Sequence, residues 1–156
     1  MSLQSVRAFL RERAPEIDIV ELDVSTATVA EAAAGHGVEP RQIAKTLSLR
    51  VGDTVVLVVA AGDARLDNRK VKTLLGGKPR MLNAQEVEAV TGHPVGGVCP
   101  FGLPAPLPVY CDESLRAWDM VVPAAGSRNS AVRIAPERLA EITGGLWVDI
   151  CQSATP

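Results

Sequence analysis

Hydrophobic and polar positions recur along the chain with two periods, and these mark out the elements. Val6, Phe9 and Leu10 share one face of a helix over Val6 to Arg13, part of a short N-terminal helix spanning about 3–14. Ile17 to Leu22 alternates and predicts a strand. Thr28 and Glu31 have the spacing of a capping box, a hydroxyl at the cap and a carboxylate three positions on. The alanine-rich helix they open is expected to end at Gly35. Pro40 suits a first helical turn that gives way to a strand. From Ile43 to Val51 the period is two: Ile43, Leu47, Leu49 and Val51 fall on one face, and Ala44, Thr46, Ser48 and Arg50 on the other. Thr54 to Ala61 is continuously apolar, as expected of a central strand covered on both faces. Asp67 is placed to cap a helix ending at Gly76-Gly77, and Asn83 with Glu86 to cap another ending near Gly92. Met120 to Pro123 and Ala131 to Ile134 predict strands flanking a turn at 126–129. Pro136 opens a last helix stopping at Gly144-Gly145, and Trp147 to Ile150 predicts a final strand. The irregular interspersion of strands and helices predicts a mixed α/β (α+β) fold: one domain over 1–156 with a mixed, barrel-like sheet and flanking helices.

Composition narrows the function classes. Of 156 residues, 47% are hydrophobic and 22% charged, which excludes a disordered or collagen-like chain. No apolar run reaches the eighteen or so residues that span a bilayer, and the start lacks the plan of a secretory signal, so a cytoplasmic protein with no membrane association is expected. Three widely spaced cysteines and two histidines offer neither a disulfide framework nor a metal-ligand cluster, and no metal or cofactor is expected. Five aromatic residues are too few for a stacking platform along single-stranded nucleic acid. Charge is uneven. Arg65 to Arg80 holds six basic residues against Asp67, a local +5 that leaves −7 on the remainder of a chain of net charge −2. Such a patch is either a solvated helix face or a seat for phosphates.

The most informative side chain is Lys45, which falls in register with the apolar row of its strand. Either its stem snorkels to an edge or it points into a pocket that wants positive charge, because a buried ammonium without an anion costs several kcal/mol. The loop Gly96-Gly97-Val98-Cys99-Pro100-Phe101-Gly102 has a backbone free to approach a ligand, though it lacks the ending of a Walker loop. Cys99 is a candidate nucleophile with no evident base. His93 is a candidate base or a turn residue, and Thr28 serves a ligand only if its helix end faces the pocket. Asp119 and Asp149 are candidate acids beside tryptophans at strand boundaries.

In order and spacing, these segments resemble the YbaK/EbsC family of aminoacyl-tRNA deacylases, the prolyl-tRNA-synthetase-associated editing domain. The resemblance runs from Thr26 to Ile150. It rests on Thr26 to Ala33, Gly37 to Leu47, Asp63 to Leu75, Gly96 to Gly102, Pro108 to Asp112, and Ala125-Gly126-Ser127. It implies hydrolysis of the ester between a wrong amino acid and tRNA, usually tRNA(Pro), with Lys45 as the central site residue. It also implies a pocket lined by the glycine loop and the turn near Gly126. On that reading Lys45, Gly96, Gly97 and Gly102 hold the ester and its oxyanion, while Thr28, Cys99, Pro100, Phe101, Gly126 and Ser127 line the substrate. Arg65, Arg69, Lys70 and Lys72 are candidates for tRNA phosphates. The partners implied are an aminoacyl-tRNA and a prolyl-tRNA or other synthetase. Family members specialised for cysteinyl-tRNA carry an acid after the glycine turn, and Arg128-Asn129-Ser130 has none. Alanine, cysteine, serine, threonine and small analogues therefore stay open as the amino acid removed. A non-catalytic module binding aminoacyl-tRNA or a nucleotide, and a Cys99 thiol hydrolase, are the competing readings.

Overall fold

A computed structural model describes residues 2–152. Helix α1 (Ser2–Arg13) leads to a short strand β1 (Ile19–Glu21) and helix α2 (Val29–His36). A 3-10 turn at Pro40–Gln42 then feeds the long hairpin of β2 (Ile43–Val51) and β3 (Thr54–Ala61). Helix α3 (Asn68–Leu75), strand β4 (Pro79–Met81) and helix α4 (Ala84–Thr91) follow, and the glycine loop leads to β5 (Val109–Asp112). The chain closes with β6 (Val122–Pro123), β7 (Ser130–Val132), α5 (Pro136–Thr143) and β8 (Leu146–Val148).

The main sheet runs β4-β2-β3-β5-β8, with β6 also on β2, and β1 pairs with β7 separately. β2 is antiparallel to β3 and β4, while β3–β5 and β5–β8 are parallel. The fold is thus mixed as expected, but the sheet is open: β4 and β8 are its ends and it does not close into a barrel. Val56 and Val58 pack with Val71 of α3 and Ile150 on one face. Leu57 and Val59 pack with Val6 and Leu10 of α1, Leu139 of α5 and Phe101 on the other. β3 is central and covered on both sides because every position from Val56 to Ala61 is apolar and buried.

Helix limits follow the caps. Thr28 and Asn83 both close capping boxes, and Asp67 accepts from the Arg69 and Lys70 amides. α2 runs past Gly35 and stops at Gly37, whose φ of +68° is the left-handed terminator. Gly35 instead gives room to Leu22 and Thr26, whose side chains would lie 3.1 Å from a Cβ there. β4 and β5 were not expected: the first has three residues beginning with proline at the sheet edge, and the second has four without alternation. Among the described residues no helix is long and apolar enough to cross a membrane.

The pairing of β2 sets the position of the functional site. Its outer edge takes β6 only at Ile43 and Ala44 and β4 only from Leu49 to Val51. Between them, Lys45 to Leu47 border a gap in the ladder, and a mainly apolar cavity opens beside it.

Candidate active site

The cavity has a volume of about 240 Å³. The N-terminal end of α2 supplies Thr26 to Val29 and Ala32, and β2 supplies Ile43 to Thr46 and Ser48. Met81, Leu82 and Val87 from the β4–α4 unit form another wall. Val95, Gly96 and Val98 of the glycine loop, and Ala124, Ser130 and Ala131 beside the 126–129 turn, complete it. The lining is mainly small and apolar. Such a chamber excludes bulky side chains by size and admits small ones.

Lys45 borders this cavity and is half-buried. It pairs with Ala60 across the hairpin, so its side chain lies on the α3 face of the sheet, and its Nζ donates to the Gly62 and Ala64 carbonyls at 3.2 and 2.5 Å. The ammonium is neither in free water nor paired with an anion: among the described residues no carboxylate reaches salt-bridge distance. Burial lowers its pKa below the ordinary lysine value, partly opposed by Cys151 and Asp63. An anionic ligand is the partner such a group lacks.

Thr28 is first a cap, its Oγ accepting from the Glu31 amide at 3.1 Å, but its helix end does face the cavity. The glycine loop divides. Gly96 lies on the cavity wall with φ +96°, whereas Gly97 is pressed against the Gly126–Ser127 backbone, 2.7 Å from a Cβ position. The Gly97 amide donates to Pro94 O and the Gly126 amide to Gly97 O, both at 2.9 Å, so neither is free for a ligand. Gly102 packs on the Ser5–Val6 backbone of α1, and Pro100 is buried. Phe101 is core, its ring 5.8 Å from that of Phe9. Gly97, Cys99, Pro100, Phe101, Gly102, Gly126 and Ser127 thus stand behind the cavity wall rather than on it. Ser127 Oγ contacts the hydroxyl of Ser130, which does line the cavity, at 2.5 Å.

Cys99 is wholly buried and its thiol is pushed up to about 12, chiefly by burial, so it is no nucleophile at neutral pH. Its neighbour His93 is equally buried. The Nε2 donates to Phe101 O at 2.7 Å and Nδ1 lies 2.5 Å from Ser2 Oγ, which is also 2.5 Å from the Gly126 carbonyl. Burial lowers the pKa of this imidazole, and as a neutral ring it ties α1 to both glycine segments. Asp119 is exposed, and Asp149 pairs with Lys70 at 3.0 Å. Arg65 and Lys70 border a separate cavity with Asp63 and Asp112, while Arg69 and Lys72 are exposed on α3. Sequence reasoning passed over Thr46, Ser48 and the apolar wall Met81–Leu82–Val87. The signal available was the polar row of β2, which reads as a solvent face until the strands and helices around it are placed.

This architecture, a mixed open sheet with a small chamber between α2, β2 and a glycine loop, is that of an editing domain. Residues 23–142 match the aminoacyl-tRNA editing domain family. The chain is 48% identical to "Uncharacterized protein YwhH" of Bacillus subtilis, covering 97% of this chain and 98% of that one. It is 32% identical to "Putative Cys-tRNA(Pro)/Cys-tRNA(Cys) deacylase EbsC" of Enterococcus faecalis, over 73% and 71% of the two chains. A solved structure described as a "putative trans-editing enzyme for prolyl tRNA synthetase" superposes with a TM-score of 0.90 at 35% identity, covering 97% and 98%. The chain belongs to the aminoacyl-tRNA editing domain family, and within it to the YbaK/EbsC deacylases. It is an enzyme that hydrolyses the ester of an aminoacyl-tRNA.

Proposed function

We propose that the protein is a trans-editing deacylase that clears tRNA(Pro) carrying a small wrong amino acid: alanine, cysteine, serine, threonine or an analogue. The observation that carries this reading is the small, mainly apolar cavity of about 240 Å³ beside the gap in β2, bordered by Lys45, whose ammonium, on the opposite face of the strand from Thr46 and Ser48, is held by two carbonyls. Similarity to proline–tRNA ligases supports the tRNA(Pro) assignment; that of Bacillus licheniformis is 32% identical over 68% of this chain and 18% of the ligase. The protein would act in the cytoplasm, receiving mischarged tRNA from a prolyl-tRNA or other synthetase.

An aminoacyl ester is already activated, so the enzyme need only hold it, stabilise the developing oxyanion and admit water. Lys45 exchanges its carbonyl partners for a phosphate of the terminal adenosine. With the Gly97 and Gly126 amides engaged elsewhere, oxyanion stabilisation falls to the backbone around Gly96. The adjacent ribose hydroxyl of the substrate orients the attacking water. No cofactor is required for this hydrolysis.

The test is a panel of mischarged tRNA(Pro) species incubated with purified protein and scored for released amino acid. Loss of at least one small species with Pro-tRNA(Pro) intact is expected. Survival of every species, or equal loss of the prolyl ester, overturns the reading.

A further inference from the structure

Two hydroxyls inside the cavity have nothing to bond. Thr46 Oγ1 and Ser48 Oγ are buried and have no hydrogen-bond partner among the described residues, and both residues line the chamber. Ser48 is only 4% exposed. Across the hairpin Thr46 faces Val59 and Ser48 faces Leu57, so both side chains stand on one face of β2, opposite Lys45. Positions two apart on a strand are separated by roughly 7 Å, so both hydroxyls lie within the reach of one amino-acid side chain placed between them. The walls around them, Ile43, Ala44, Leu82, Val87 and Val122, are apolar. The other buried side-chain atoms without partners, His36 Nε2 and Trp118 Nε1, belong to residues outside this chamber. Native interiors satisfy almost all such atoms, and a hydroxyl left bare in an apolar pocket is costly.

We propose that Thr46 and Ser48 form a polar subsite that reads a hydroxyl on the amino-acid side chain, making seryl and threonyl esters of tRNA the preferred substrates. This rests on the editing reading above and deepens it. The tRNA is attached on the far side of the ester and is too large to enter, so the amino-acid side chain is the group that reaches the buried hydroxyls. A serine or threonine hydroxyl both donates and accepts, and satisfies the pair. A cysteine thiol does so weakly. An alanine methyl or the proline ring leaves both hydroxyls buried and unmet, which helps keep the correct prolyl ester out. A site built around a ligand hydroxyl rejects its absence far more strongly than an apolar pocket rejects an added one.

The experiment is single-turnover deacylation of Ser-, Thr-, Cys-, Ala- and Pro-tRNA(Pro) by the wild type, Thr46→Val, Ser48→Ala, the double variant and Thr46→Ser. The wild type should favour Ser over Ala by about 10- to 100-fold, with each hydroxyl contributing roughly three- to tenfold. The double variant should bring that ratio to within about threefold of unity, and Thr46→Ser, which keeps the hydroxyl, should preserve it. Ser48→Ala should melt at the same temperature as the wild type or higher, because it removes a polar atom with no protein partner; a merely structural hydroxyl would lower it. Alanyl or cysteinyl esters cleaved as fast as seryl, or a ratio unmoved by the double variant, overturn the subsite and leave the editing function standing. If no mischarged species is cleaved, both readings fall together.

Discussion

Lys45 attracts notice in the sequence because an ammonium interrupts a row of apolar side chains with a period of two. Its surroundings explain how the fold tolerates it: two backbone carbonyls take its protons while its charge goes unmatched. Lys45→Ala should lower kcat/KM for a mischarged tRNA on the order of 10²–10³-fold, the usual loss when a charge-stabilising donor is removed, while a cooperative melt persists. Turnover within threefold of the wild type would refute the anchoring role. Because burial lowers its pKa, the ammonium is present below that lowered value and lost above it. Binding of a non-hydrolysable aminoacyl-tRNA should therefore weaken as pH rises toward it in the wild type and stay flat in the variant. The neighbouring hydroxyls were invisible to the same logic. Thr46 and Ser48 sit on the half-polar row, where a hydroxyl is unremarkable until the strand gap and α2 enclose it. The glycines misled in the opposite sense: glycine marks close backbone approach, and at Gly97 and Gly102 what approaches is the protein itself, 2.7 Å from a Cβ position.

At the level of elements, caps were the most legible features, since they are local chemistry: a side-chain oxygen and the amide two or three residues on. The short strands β4 and β5 were not, because they exist by virtue of partners distant in sequence. One cap also organises a cavity wall. Glu86 accepts from the Asn83 amide at 3.1 Å and from both terminal nitrogens of Arg80 at 3.2 Å, with Arg50 at 3.7 Å. It thereby locks α4, which carries Val87, to β4 and β2. The Arg80 hydrogen bonds and then the Asn83 amide hold its carboxyl down to about 2. A carboxylate pKa lower in the folded than in the unfolded state contributes stability that is complete above the unfolded value and lost as pH falls through the folded one. Glu86→Gln should accordingly melt below the wild type at pH 7, and the gap should close between about pH 4.5 and 2 when followed by circular dichroism. A gap independent of pH would show that the carboxylate charge has no such role.

Over the whole molecule, mixed class and element order were readable from pattern, but the open edge of the sheet was not. Closure depends on whether β4 meets β8, a contact no local period encodes. Charge behaves similarly. The +5 window reads as one patch, yet the fold neutralises part of it: Lys70 pairs with Asp149 and Arg80 with Glu86. Among the described residues no carboxylate reaches salt-bridge distance of Arg65, Arg69 or Lys72, and the last two are one helical turn apart on the solvent side of α3, opposite buried Val71. A net charge of −2 gives no long-range pull on tRNA, so any electrostatic grip must come from these few groups in contact with phosphates. Each phosphate so met releases counterions and adds roughly 0.7–0.9 to the slope of log affinity against log salt. Arg69→Ala and Lys72→Ala should each lower that slope by about this amount. Lys70→Ala should change it less, because that ammonium is already held by Asp149 and the Cys151 carbonyl. Filter binding of tRNA(Pro) over a salt series measures all three, and equal slopes in wild type and variants would place the acceptor stem on another face of the protein.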